Sequence, residues 1–154
     1  MYDRKKQLQR GLIQVHVTFS EEERLSTGVG GESLWAFPVG NRHAQIASAG
    51  LFCEISMDDI VQTELTEKPI REYVKIVKKN TNTYFARYSS LKEEDWENMS
   101  KYFLSYGIRV DGVTDNLCVV SVPVYFPEGK INDLVKECPF EMSIYTNQND
   151  IPEN

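Results

Sequence analysis

Two histidines, three cysteines and the absence of any long apolar run exclude several classes of function before any motif is sought. His16 and His43 lie far apart and neither sits in a ligand-spaced motif, so a zinc site would need distant side chains to converge by chance. Cys53, Cys118 and Cys138 are odd in number, lack C-x-x-C spacing and each lies in an apolar pattern, which reads as free buried thiols rather than a disulfide framework. Residues 11–19 alternate between apolar and polar instead of forming a continuous run, so neither a signal peptide nor a membrane span is read, and the expected compartment is the cytoplasm. The glycines of T-G-V-G-G (27–31) lead into a strand-like segment without the lysine of a phosphate-cradling loop. Nowhere does a nucleophile pair with a base, so no catalytic residue, cofactor or metal ligand is assigned.

What the chain does have is acid. A net charge of −6 argues against nucleic acid, whose phosphates need clustered Lys and Arg, and suits a basic protein partner as well as ordinary solubility. With 154 residues and 41% hydrophobic content it can bury one compact core, or two small ones in contact.

The clearest element is residues 90–107. Ser90 and Glu93 have capping-box spacing, Glu93, Glu94 and Asp95 fill the first turn, and Gly107 supplies a stop. Trp96, Met99, Phe103 and Tyr106 draw an apolar stripe along it, widened by Tyr102, and such a stripe needs a sheet to cover it. Trp35 and Trp96 are read as the core anchors of their halves.

Before that helix the pattern is β-rich. Residues 1–11 form a polar arm, and Ile13, Val15, Val17 and Phe19 then alternate as a half-buried strand with His16 on its polar face. Residues 20–31 read as a charged, glycine-rich loop. Residues 32–39, 42–48 and 51–57 are strand candidates with tight turn signals between them, a further strand follows Asp58-Asp59, and together they suggest a meander or small barrel over 12–80. Residues 72–79 alternate, and Asn80-Thr81-Asn82 reads as a turn joining that strand to 83–89 in a hairpin. Lys75, Lys78, Lys79 and Arg87 interleave there with Tyr73, Tyr84, Phe85 and Tyr88, the composition of an RNA-binding sheet, but no RNP-type motif accompanies it.

From residue 83 the order is strand, helix (91–106), strand (108–113), strand (117–124), helix (about 129–138) and strand (140–146). This βαββαβ series over 81–147 predicts a ferredoxin-like half, followed by a polar tail, 148–154. The fold class expected is α+β.

Several of these segments resemble the bacterial domain of unknown function family 4265: Glu32-Ser33-Leu34-Trp35-Ala36, the step Met57-Asp58-Asp59-Ile60-Val61, the stretch V-K-I-V-K-K-N-T-N-T-Y-F-A-R-Y, the helix ending in Tyr106-Gly107, and Val119 to Pro123. The likeness runs over 15–145 and departs from the family pattern at Asp58 and Asn80, where glycine is usual. The family has no established activity, so the resemblance implies architecture, a β-rich half before a ferredoxin-like one. In size and charge the chain is similar to immunity proteins that neutralise bacterial toxins.

Three functions follow as expectations. The first is a cytoplasmic immunity protein that binds a basic toxin stoichiometrically through Glu21, Glu22, Glu23, Asp58, Asp59, Glu64 and Glu67, with no membrane or nucleic-acid partner and as a monomer or homodimer. The second is an enzyme using Glu32, Asp58 or Asp59 as acid or base. The third is a regulatory module binding a small molecule or peptide on its second sheet.

Overall fold

The structure, a computed structural model, describes residues 10–89, 91–127, 129–146 and 150–152. Among these the elements run β1 (Ile13–Thr18), α1 (Glu21–Thr27), β2 (Gly31–Val39), β3 (His43–Ile46), β4 (Ile60–Glu64), β5 (Ile70–Lys78), β6 (Thr81–Tyr88), α2 (Glu93–Leu104), β7 (Arg109–Thr114), β8 (Leu117–Pro123), α3 (Lys130–Glu137) and β9 (Met142–Tyr145). The chain divides into two compact units, Met1–Asn80 and Thr81–Asn154. It is a mixed α+β protein, a closed five-stranded barrel plus a second sheet and three helices.

In the first unit β1 to β5 close into a barrel in chain order. Each consecutive pair is antiparallel, so a meander with an odd number of strands ends with first and last strands pointing the same way, and β1 closes on β5 in parallel, Gln14 facing Ile70 and His16 facing Glu72. Side chains fill so small a barrel. Val15, Val17, Leu34, Ala36, Ala44, Ile46 and Val61 form its buried interior with Tyr73 and Ile76 packed against them. The alternation that places these residues inside puts Gln14, His16, Ser33, Gln45 and Gln62 outside.

In the second unit the sheet order is β7-β8-β6-β9, every neighbour antiparallel. Ala86 and Tyr88 of β6 and Cys118, Val120 and Val122 of β8 share one buried cluster with Met99 and Phe103 of α2 and Ile131 and Leu134 of α3. Both helices therefore bury their apolar stripes on that side of the sheet.

Five expectations are corrected. Residues 20–31 are not all loop, because α1 forms within them. Residues 51–57 are not a strand; they make an irregular connection whose Ile55, Ser56 and Met57 are buried. β5 and β6 do not pair as a hairpin: β5 pairs with β1 and β4, β6 with β8 and β9. Asn80 does not turn the chain. Its backbone N–H donates to Asp59 Oδ1 at 2.8 Å and its amide to the Asp58 carbonyl at 2.7 Å, which fixes the end of β5 to the connection before β4. Finally, α2 starts at Glu93 with Lys92 as an N-cap that makes no side-chain cap bond; Ser90 lies outside the described residues. Tyr106, 45% exposed, falls beyond the helix end, and Trp96 is half-buried at the edge of the cluster that Met99 and Phe103 enter completely.

Candidate functional site

The acidic residues singled out above do not act alike. Glu21, Glu22 and Glu23 occupy the first turn of α1, where the helix dipole favours them. Ser20 begins the helix: its Oγ accepts from the Glu23 N–H at 3.2 Å while Glu23 Oε1 accepts from the Ser20 N–H at 3.0 Å, and Gly28 ends it at φ 77°. These bonds to Ser20 hold the Glu23 carboxyl below its ordinary value of 4.5. Glu23 is thus spent on the helix start. Glu21 and Glu22 are exposed beside it, as is Leu25 at 82%.

Asp58 and Asp59 belong to the fold. Asp58 adopts φ 70° and donates its N–H to the Ile46 carbonyl at 2.7 Å, a tight reversal into β4. Asp59 has no solvent exposure. Its Oδ2 accepts from Lys79 Nζ at 2.7 Å and from the Ser56 N–H at 2.9 Å, and its Oδ1 from the Asn80 N–H. Lys79 completes its own shell on the Glu54 carbonyl and Ser56 Oγ. A buried charge survives when it is paired and hydrogen-bonded, and this one is both. Asp59 accordingly cannot meet a partner at the surface, which corrects its place in the acidic set.

Glu32 is also committed. Its two oxygens accept from the Leu51 and Phe52 N–H groups at 2.6 and 3.1 Å, pinning the connection between β3 and β4, with the Cys53 thiol alongside. Burial, the largest cause, pushes that thiol up to about 12, opposite to what a nucleophile needs. Among the described residues no group of three or more His, Cys, Asp or Glu is placed to hold a metal ion.

Glu64 and Glu67 are exposed, and the barrel register adds a residue that sequence reading missed. Glu64 lies directly across β4 and β5 from Glu72, and Glu72 lies across from His16, so the outward row reads Glu64, Glu72, His16, Ser33. His16 Nδ1 is 3.1 Å from Ser33 Oγ, and Glu72 Oε2 accepts from Thr18 Oγ1 at 3.4 Å. That last bond ties Glu72 to the strand that runs into α1. Two carboxylates facing each other on one sheet face repel, and a cation laid between them removes the repulsion. The signal for Glu72 was available, since it alternates in the E-Y-V-K-I run, but its neighbour Glu64 is assigned only by the pairing of β4 with β5. The surface can do electrostatic work, drawing in and holding a basic group.

Comparison with known proteins bears on the fold. No protein-family model matches the sequence, and no curated protein matches it. Among solved structures the chain is similar to a hypothetical protein from Neisseria gonorrhoeae, at 14% identity with a TM-score of 0.60, covering 87% of this chain and 92% of that one. At that identity the likeness speaks for the fold alone. No described helix is long and apolar enough to cross a membrane.

Proposed function

We propose that this chain is a non-enzymatic, cytoplasmic protein-binding protein of the immunity type, which neutralises a basic toxin by forming a stoichiometric complex. The observation that carries this reading is the opposition of Glu64 and Glu72 on the outer face of the barrel, joined through Thr18 to the strand that leads into the exposed glutamates of α1. An acidic surface steers a basic partner into encounter, and its carboxylates can stand in for phosphates against a basic site. Glu21, Glu22, Glu64, Glu67 and Glu72 are the contact residues; Asp58 contributes its turn, and Asp59 and Glu23 hold the frame.

Two finer readings accompany it. The second unit is a ferredoxin-like βαββαβ half, supported by its strand order β7-β8-β6-β9 and by helices that link β6 to β7 and β8 to β9. Kinship with the domain of unknown function family 4265 rests on the E-x-L-W-A opening at 32–36 and the valine-proline step before α3. Affinity capture with the tagged chain from its source cells, at low salt and again at roughly 0.5 M salt, tests the function. A basic protein recovered at one-to-one yield at low salt and reduced at high salt is the outcome the proposal requires.

A further inference from the structure

The second unit carries an open cleft of about 670 Å³ that nothing above uses. It is lined by Arg87 of β6, by Asp115 and Asn116 of the turn between β7 and β8, by Glu141 just before β9 and by Ser143 within it. The register explains the arrangement. Arg87 faces Leu117 on one side and Ser143 on the other, so the turn with Asp115 lies on the β8 side of Arg87 and Glu141 on the β9 side. The turn itself is fixed, with Thr114 Oγ1 donating to Asn116 Oδ1 at 2.9 Å and the Tyr88 N–H to the Asn116 carbonyl at 3.1 Å.

These three charged residues line one cleft without neutralising one another. Among the described residues, neither carboxylate forms an ion pair with the Arg87 guanidinium. Arg87 gives one N–H to the Pro152 carbonyl, and a guanidinium has five donors to share. A simple anion drawn to Arg87 meets two carboxylates, and a simple cation drawn to the carboxylates meets Arg87. A molecule bearing both charges can meet all three groups. We propose that this cleft binds a small zwitterion of the α-amino-acid class, its carboxylate on Arg87 and its ammonium group on Asp115 and Glu141.

The test is an amide NMR titration of the full chain with L-alanine, beside propionate and ethylamine, each of which keeps one of the two charges. L-alanine is expected to give saturable shifts at Arg87, Asn116 and Ser143, with the single-charge compounds at least about tenfold weaker. Arg87→Met and, on the exposed turn, Asp115→Asn should each weaken L-alanine by about tenfold. Absence of a saturable shift up to roughly 50 mM L-alanine would overturn the proposal. So would propionate binding as tightly as L-alanine, or an Asp115→Asn protein that binds as the wild type does. Any of these three failures leaves the protein-binding reading standing, because that reading rests on the other unit.

Discussion

Lys79 Nζ stands 2.7 Å from Asp59 Oδ2, and while the lysine side chain is 34% exposed the carboxylate is shut off from solvent completely. The asymmetry decides which loss is worse. Without Lys79, the buried Asp59 carboxylate loses its ion-pair partner and keeps the Ser56 and Asn80 N–H groups. Lys79→Met should therefore destabilise the protein by about 3 kcal/mol. Lys75→Met, at an exposed position on β5, the strand that ends just before Lys79, should change stability by less than about 0.5 kcal/mol. Urea denaturation compares the two, and equal midpoints would remove the ion pair from the account of the fold.

Phe103 and Trp96 lie on one face of α2 but differ in what they lose. Phe103 has no exposure, whereas Trp96 is half-buried, packing on Tyr88 with ring centroids 6.2 Å apart. Phe103→Ala should cost about 3 to 5 kcal/mol, and Trp96→Ala less, because part of its ring stays in water in the folded protein. Denaturation midpoints in the reverse order would contradict the packing described.

The thiols set an alkaline limit. Burial, the largest cause in each case, pushes Cys53 and Cys118 from 9.0 up to about 12. The sign follows from proton counts. Below pH 9 both states hold these protons and stability does not respond; from pH 9 to about 12 the unfolded chain releases them while the folded chain keeps them, so stability falls as pH rises. Urea midpoints at pH 7, 9 and 10.5 should be level over the first interval and drop over the second, with a smaller drop in Cys118→Ala. At pH 8 both thiols should also react slowly with an aromatic disulfide reagent in the native protein and at the unfolded rate once urea is added.

Much of the fold could be read from local pattern, and what could not depended on distant partners. The strands β1 and β2, the stripe of Trp96, Met99 and Phe103 on α2, and the apolar run of β8 are local signals that burial makes strong. Asn80-Thr81-Asn82 has turn composition, yet Asn80 is held by hydrogen bonds to Asp58 and Asp59, more than twenty positions earlier in the chain, which no local window contains. Residues 51–57 are apolar enough for a strand because Ile55 and Met57 plug the core from a connection. The helix α1 was legible: Ser20 and Glu23 have capping-box spacing, and the glycines that follow obscured it. As for the acidic surface, its exposed glutamates were identifiable from composition, whereas Asp59 becoming internal and Glu64 meeting Glu72 are consequences of register.

The most direct measurement is affinity capture run side by side with the wild-type chain and with the charge-reversed variant Glu21→Lys, Glu22→Lys, Glu64→Lys, Glu72→Lys, after circular dichroism confirms that both are folded. The account predicts that one basic partner comes down with the wild type at equimolar yield in low salt, and that the variant loses it by about a hundredfold or more. Equal recovery of the same partner by both chains, or recovery of no partner by the wild type at either salt, would contradict the claim that this protein acts through its acidic face.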